Sequence, residues 1–245
     1  MVKVALVISA IDPLNGAGFT LDLRVIEEMG IKAVGVPTGL LPQSPEGVKE
    51  VFFFSPSWLE QAISPLLGLE ISGLKASILG NFPEYLLREV LGKVKGPKIL
   101  DPILWAGGKG VETGKRLREL ISLFDIVTPN IPEAREILGE ELHPRKLCEK
   151  LAEEFQVTVL LKGGHSPEKT DYFCHQGKTL IFPPPEIFPY EVHGTGCLLS
   201  SALLAFLLSG LGPLEAVREA RTYLYRHYRG AVSLGKGKKI FLKKT

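Results

Sequence analysis

The sequence predicts an α/β protein in which a mostly parallel central sheet carries helices on both faces. Apolar runs of strand length alternate with helix-like segments along the chain. The strand-like runs are apolar almost throughout, which is typical of parallel strands that are covered on both sides. A chain of 245 residues, 45% of them hydrophobic, can bury one large core. We therefore expect a single domain over residues 1–245.

The N-terminal two thirds of the chain should alternate strand and helix, with Gly, Pro and polar clusters as breakers. Strands are predicted at 4–9, 33–36, 73–79, 98–100, 126–127 and 157–161. Helices are predicted at 18–29, 56–67, 83–94, 113–123, 131–138 and 145–155. Because helices connect most of these strands, neighbouring strands should run parallel and share one carboxyl edge.

The last third of the chain should add a hairpin and two helices. Strands at 172–174 and 179–182 flank a Gly-containing turn, which predicts an antiparallel hairpin at a sheet edge. Helices are predicted at 198–209 and 213–228. The first of them is too short to span a bilayer comfortably and should be a buried core helix.

Composition and termini exclude several classes of function. The formal net charge is +2, and no basic stripe with interleaved aromatics is present, so nucleic acid is not an expected partner. Three cysteines form no paired framework, which favours a reducing compartment. The N-terminus enters a strand without a signal-peptide pattern. We expect a cytoplasmic protein with no membrane partner.

Two glycines stand directly before a long apolar run, in His193-Gly194-Thr195-Gly196-Cys197. This pattern predicts a tight turn that opens a buried helix. The first N–H groups of a helix have no intrahelical partners and the helix dipole adds positive potential, so the turn suits a phosphate or oxyanion. The same potential would favour the thiolate of Cys197. A plain turn followed by a core cysteine is the alternative interpretation.

Polar residues also follow other predicted strands. Asp12, Asp101, Asn130 and Lys162 each come shortly after an apolar run. Ligands of open parallel sheets bind outside the carboxyl ends of the strands, so these side chains should converge on one edge. Each has a structural alternative, because turn carboxylates, helix caps and solvated lysines are common at such positions. Asn130 and Glu133, in particular, have the spacing of a capping box.

Five segments together carry a family resemblance. Two of them are Asp12 to Gly18 and Asp101-Pro102. The other three are specific in combination and read Asn-x-Pro-Glu-Ala from Asn130, Lys-Gly-Gly-His from Lys162 to His165, and His-Gly-Thr-Gly-Cys from His193. In this order and spacing the chain resembles the ribokinase-like superfamily, and most closely its hydroxymethylpyrimidine (phosphate) kinase branch, with pyridoxal kinases as nearest relatives. The resemblance implies a three-layer sandwich, ATP and Mg²⁺ as cofactors, a small-molecule substrate and a homodimer.

The resemblance also implies roles for individual residues. The substrate-binding residues would be Asp12, Asp22, Gln43 and Ile78, and the nucleotide-binding residues would be Asp101, Asn130, Lys162 and Thr195. The carboxamide of Gln43 carries a donor beside an acceptor, which matches a ring nitrogen next to an amino group. Glu133, with Asn130, would orient hydrated Mg²⁺, an ion that takes few protein carboxylates.

Catalysis would centre on the glycine-containing turn. Cys197 stands at the position of the base, where it would accept or help to position the proton of a primary hydroxyl. The N–H groups of Gly194, Thr195 and Gly196 would hold the developing phosphoryl charge, which Lys162 would offset. Because phosphoryl transfer depends mainly on positioning and charge stabilisation, we expect the glycines to matter more than the thiol.

The expected activity is ATP- and Mg²⁺-dependent phosphorylation of 4-amino-5-hydroxymethyl-2-methylpyrimidine, its monophosphate, or both. A pyridoxal kinase is one alternative, which Gln43 disfavours. The other is a homologue that binds a pyrimidine without turning it over. That alternative rests on departures from the family pattern at Ile11, Asn15 and Gly107, where Gly107 begins a glycine-rich segment predicted to form a mobile lid.

Overall fold

A nine-stranded, mostly parallel sheet forms the centre of the computed structural model, which describes residues 2–44, 47–164 and 166–241. His165 of the Lys-Gly-Gly-His motif lies outside the described residues. The strands are β1 (Val4–Ile11), β2 (Lys32–Leu40), β3 (Gln43–Ser44), β4 (Gly47–Val48), β5 (Phe52–Phe53), β6 (Gly73–Ala76), β7 (Lys98–Leu100), β8 (Trp105–Ala106), β9 (Lys109–Gly110), β10 (Ile126–Val127), β11 (Thr158–Leu161), β12 (Asp171–His175) and β13 (Lys178–Phe182). The α-helices are α1 (Gly18–Glu28), α2 (Pro56–Ile63), α3 (Glu84–Lys93), α4 (Gly114–Leu120), α5 (Ile131–Leu138), α6 (Pro144–Phe155), α7 (Thr195–Leu208) and α8 (Pro213–Arg229).

The strand order of the sheet confirms the predicted fold class. Across the sheet the order is β13-β12-β11-β10-β7-β6-β1-β2-β5. All pairings from β11 to β2 are parallel, whereas β12, β13 and β5 add antiparallel strands at the two edges. The predicted hairpin is therefore present as β12 and β13.

Helices cover both faces of the sheet, because strand side chains alternate between the faces. On β1, Leu6 and Ile8 belong to the core cluster that contains helices α2 to α6. Ala5 and Val7 point the other way and pack with α1, α7 and α8. The predicted three-layer sandwich is confirmed, and α7 is the buried core helix that its apolar sequence indicated.

Two element boundaries differ from the sequence prediction for identifiable reasons. The helix predicted at 56–67 ends as α2 at Ile63 and continues as a 3₁₀ turn over Ser64–Leu66. Pro65 has no N–H to continue the α-helical hydrogen bonds. The strand predicted at 73–79 ends at Ala76. Ile78 and Leu79 are buried by packing beyond the strand, so their apolar character does not reflect strand pairing.

Two short hairpins lie above the carboxyl edge of the sheet, where ligands of such sheets bind. One is formed by β3 and β4 and the other by β8 and β9. They touch at Gly107, where an added Cβ would lie 2.4 Å from the backbone nitrogen of Val48. The glycine-rich segment predicted as a lid therefore forms a hairpin, and its mobility stays a prediction. None of the helices in the described part of the chain has the length and hydropathy to cross a membrane.

Candidate active site

Eleven of the twelve residues assigned to the site by sequence surround one cavity of about 590 Å³ at the carboxyl edge of the sheet. They are Asp12, Gln43, Ile78, Asp101, Asn130, Glu133, Lys162, Gly194, Thr195, Gly196 and Cys197. We call this space the polar cavity. The strands β1, β7, β10 and β11 deliver Asp12, Asp101, Asn130 and Lys162 to its rim, as the parallel arrangement predicted.

The turn before α7 has the geometry that the glycines indicated. Gly194 is the N-cap and adopts a left-handed φ of 84°, a conformation that glycine adopts at little cost. An added Cβ there would lie 1.9 Å from the carbonyl oxygen of Gly16, so the two chain segments touch backbone to backbone. The first N–H groups of the helix, from Thr195 onward, have no intrahelical acceptors. They provide hydrogen-bond donors for an anion in the polar cavity.

Lys162 and Asp101 form a buried ion pair beside this turn. The Nζ atom of Lys162 lies 2.6 Å from Oδ1 of Asp101. Asp101 also accepts hydrogen bonds from Thr128 and Ser200, both at 3.0 Å. Burial alone would raise the pKa of Asp101, but the charges of Lys162 and Lys75 outweigh it and hold the pKa below its usual value. Asp101 is thus ionised, and its charge keeps Lys162 protonated at the floor of the cavity.

The structure does not support an activated thiolate at Cys197. The thiol is buried and accepts a hydrogen bond from the backbone N–H of Gly18. Burial raises the pKa of the Cys197 thiol to about 12, although the nearby charge of Lys75 opposes the shift. The expectation that the helix N-terminus would favour the thiolate is therefore wrong, because desolvation is the larger effect. At neutral pH Cys197 is a protonated thiol.

Asn130 and Glu133 form the capping box that their spacing predicted. The N–H of Glu133 donates to Oδ1 of Asn130 at 2.8 Å, and the N–H of Asn130 donates to Oε2 of Glu133 at 2.7 Å. Burial raises the pKa of Glu133 to about 7, and Lys162 only partly offsets that shift. In the described residues no cluster of three or more His, Cys, Asp or Glu side chains could hold a metal. A metal ion here would have few protein ligands.

A second group of polar side chains, Asp12, Gln43 and His193, also lines the polar cavity. Nε2 of His193 lies 3.0 Å from Oδ2 of Asp12 and 3.2 Å from Nε2 of Gln43. Burial by itself would raise the pKa of Asp12, but hydrogen bonds from His193 and Gln43 bring it below its usual value. Sequence analysis assigned no role to the side chain of His193. Its partner Asp12 is 181 positions away, so no local pattern could indicate the contact.

Asp22 is the one predicted site residue that does not line the polar cavity. It is fully buried and forms an ion pair with Lys75, which is also fully buried. Ser201 on α7 donates to Oδ1 of Asp22 at 2.8 Å, and Lys75 donates to the carbonyl oxygen of Cys197 at 3.2 Å. These contacts tie Asp22 and Lys75 to the first two turns of α7. They give Asp22 a positioning role and do not favour direct contact with substrate.

A further cavity of about 460 Å³ adjoins the polar cavity and was not predicted from the sequence. Its wall contains Phe188, Leu224, Tyr225 and Tyr228, so we call it the aromatic cavity. The two cavities share six lining residues, which are Lys162, Gly164, Val192, Thr195, Gly196 and Lys238. They therefore meet at the N-terminus of α7, where the N–H groups of the first helical turn lack intrahelical acceptors.

A sequence model of the phosphomethylpyrimidine kinase family matches residues 12–241. The chain belongs to this family. Its members are phosphotransferases, and so is this chain. The hydroxymethylpyrimidine/phosphomethylpyrimidine kinase of Aquifex aeolicus is 31% identical, over 97% of this chain and 98% of the relative. The thiamine biosynthesis multifunctional protein of Corynebacterium efficiens is 30% identical over 95% of this chain, which corresponds to 33% of that longer protein.

Solved structures confirm the ribokinase-like fold of this kinase. A pyridoxal kinase from Staphylococcus aureus in complex with AMP-PCP and pyridoxal superposes with a TM-score of 0.86 at 19% identity, over 99% of this chain and 93% of the other. A phosphomethylpyrimidine kinase from Clostridium difficile gives a TM-score of 0.74 at 25% identity, over 91% of this chain and 98% of the other. The higher TM-score of the pyridoxal kinase concerns the fold alone.

Proposed function

We propose that this kinase transfers the γ-phosphoryl group of ATP to the hydroxymethyl group of 4-amino-5-hydroxymethyl-2-methylpyrimidine, and then to the monophosphate that results. The observation that carries the proposal is the junction of the two cavities at Lys162, Thr195 and Gly196. A nucleotide in one cavity and an acceptor in the other would bring the reacting atoms together there. Family membership supplies the class of acceptor.

The aromatic cavity suits the base of the nucleotide. The rings of Phe188 and Tyr228 stack with centroids 4.6 Å apart, and Tyr225 lies beside them, so apolar and aromatic surface is available to a purine. The triphosphate would extend from this cavity toward the N-terminus of α7. Complexes of pyridoxal kinase neighbours with AMP-PCP or ADP support a nucleotide in a fold of this type.

The polar cavity suits the acceptor. Gln43 presents a carboxamide that can pair with a ring nitrogen and its neighbouring amino group, and Ile78 adds an apolar wall. Asp12 holds Gln43 in position by accepting a hydrogen bond from its carboxamide. Asn15, where the family pattern has glycine, adopts the left-handed φ of 58° that this turn requires. Asparagine tolerates this conformation better than most residues, so the departure leaves the turn intact.

Transfer would rely on charge stabilisation more than on a base. The N–H groups of the first turn of α7 and the ammonium of Lys162 would stabilise the charge on the γ-phosphoryl group as its bond to the β-phosphate oxygen breaks. The oxygen of the acceptor alcohol forms the new bond to phosphorus, ADP leaves, and the hydroxyl proton passes to water. A loose transition state places little demand on a base, which is consistent with a Cys197 thiol that stays protonated.

Glu133 is the residue that fits a hydrated Mg²⁺ ion. Its carboxylate faces the polar cavity, and its raised pKa shows that Lys162 does not fully offset the cost of burying its charge. A bound cation would offset the remaining cost of burying the negative charge of Glu133. Magnesium usually retains several waters and binds one or two carboxylates in addition to substrate phosphates. Glu133 and Asn130 would therefore be enough protein ligands for it. The bound ion would supply neutralisation of the phosphate charges.

A coupled assay for ADP release would test the proposal, with the pyrimidine alcohol, its monophosphate and pyridoxal as separate acceptors. We expect turnover of both pyrimidines, with pyridoxal a poorer acceptor because its ring lacks the amino-pyrimidine edge that Gln43 matches. Preferred turnover of pyridoxal would identify the first alternative. Thermal stabilisation by the pyrimidine without ADP release would identify a binding protein that does not turn the pyrimidine over. The presence of Asp101, Glu133 and Lys162 together disfavours this alternative. The homodimer stays a prediction.

A further inference from the structure

The C-terminal segment of the described chain, residues 232–241, lies against the anion-binding turn. The N–H of Lys239 donates to the carbonyl oxygen of Glu191 at 3.0 Å, and the N–H of His193 donates to the carbonyl oxygen of Lys239 at 2.8 Å. Phe241 is buried next to these contacts. The backbone on the C-terminal side of Lys238 is therefore held directly beside the residues that precede Gly194, although sequence analysis gave this region no function.

Lys238 is placed where the two cavities join. It is one of the residues that line both the polar and the aromatic cavity. Its Nζ atom lies 2.8 Å from Oε2 of Glu191, and the two side chains are 47% and 67% exposed. An exposed ion pair of this kind contributes little to stability, so the ammonium can exchange Glu191 for an anionic ligand at small cost.

The two lysines that line the polar cavity differ in the partners of their charges. Among the described residues that line this cavity, Lys162 and Lys238 carry the permanent positive charges, and Asp12, Asp101 and Glu133 carry carboxylates. The charge of Lys162 is already offset by Asp101 at 2.6 Å. Of the two cations, Lys238 is the one whose partner is an exposed surface carboxylate.

We infer that Lys238 is a specificity residue that binds the phosphate of the monophosphate acceptor, which makes the second of the two transfers possible. The inference rests on the proposed function. The alcohol is uncharged at its reacting oxygen, whereas a phosphate monoester carries a charge of about −1.5 to −2 at neutral pH. Because that phosphate sits on the reacting oxygen, it meets the incoming γ-phosphoryl group at the junction of the cavities. Two anions meet there, and Lys238 supplies the additional positive charge.

The test compares the two acceptors in the full-length enzyme at saturating ATP and Mg²⁺. Lys238→Met should lower kcat/KM for the monophosphate about 10- to 100-fold more than kcat/KM for the alcohol, mainly through KM, since a hydrogen bond between charged groups is lost. Lys238→Arg should restore most of the preference. Lys236→Met, an exposed lysine on the same segment, is the matched control and should leave both values unchanged.

Salt provides a second readout that a purely structural role would not change. Raising the ionic strength should raise KM for the monophosphate more in the wild-type enzyme than in Lys238→Met. Equal losses for both acceptors would assign Lys238 to the nucleotide and overturn the inference, as would wild-type kinetics in Lys238→Met. Turnover of neither acceptor by the wild-type chain would overturn the proposed function and, with it, this inference.

Discussion

Substitution of Gly196 should impair turnover far more than substitution of the adjacent cysteine. In Gly196→Ala the added Cβ would lie 3.0 Å from Nζ of Lys162 and 3.9 Å from Oδ2 of Asp101. This contact is tighter than an ordinary van der Waals contact, so the ammonium of Lys162 must shift by a few tenths of an ångström. In the proposed complex the added methyl group would also lie where the γ-phosphoryl group binds. Small misplacements at a reacting centre can lower a rate about 100-fold. We therefore expect kcat to fall by about that factor, which corresponds to a rise of roughly 2.7 kcal/mol in the activation free energy.

The assay is steady-state ADP formation at saturating pyrimidine alcohol and ATP, and thermal unfolding confirms that each variant is folded. Cys197→Ala should retain kcat within about tenfold, since a thiol with a pKa of about 12 supplies no base at neutral pH. Gly92→Ala is a control on the exposed surface of α3, where an added Cβ has no neighbour within 4 Å. Loss of turnover in Cys197→Ala together with normal turnover in Gly196→Ala would refute the reasoning.

Three other predictions follow from the same geometry. Lys75→Met leaves Asp22 as a buried charge without its partner, so the free energy of unfolding in urea should fall by about 3–5 kcal/mol; a loss below about 1 kcal/mol would contradict the ion pair. The kcat ratio of wild type to Cys197→Ala should stay constant from about pH 6 to 9, because a thiol with a pKa of about 12 does not titrate in that range; a step in the ratio would show a functional thiolate. EDTA should abolish turnover, and Glu133→Gln should raise the Mg²⁺ concentration for half-maximal rate about tenfold; an unchanged requirement would remove Glu133 from the site.

The fold could be predicted from sequence wherever an element was long enough to show its own period. The helices and the parallel strands of the sheet lie close to their predicted positions for that reason. The short pairs Gln43–Ser44 with Gly47–Val48, and Trp105–Ala106 with Lys109–Gly110, were not predicted. A strand of only two residues is too short to show a periodic pattern in the sequence. These short strands form because the loops that contain them pack on each other.

The site could be predicted where a residue's position followed from a strand end, and not where it followed from a tertiary partner. Asp101 and Lys162 are placed by the edge of the sheet, so their convergence was foreseeable. Lys75 is fully buried only because Asp22 neutralises it, and the sequence gives no sign of that pairing. For Cys197 the local pattern revealed the helix N-terminus, but the opposing and larger effect of burial needs the whole fold.

The most direct test is a crystal structure of the complex with a non-hydrolysable ATP analogue and the pyrimidine alcohol. The account predicts the base beside Tyr225 and Tyr228, the ring of the acceptor beside Gln43, and the γ-phosphate within about 3 Å of the N–H of Gly196. A triphosphate bound away from the N-terminus of α7, or both ligands in cavities that do not communicate through Lys162, would contradict it.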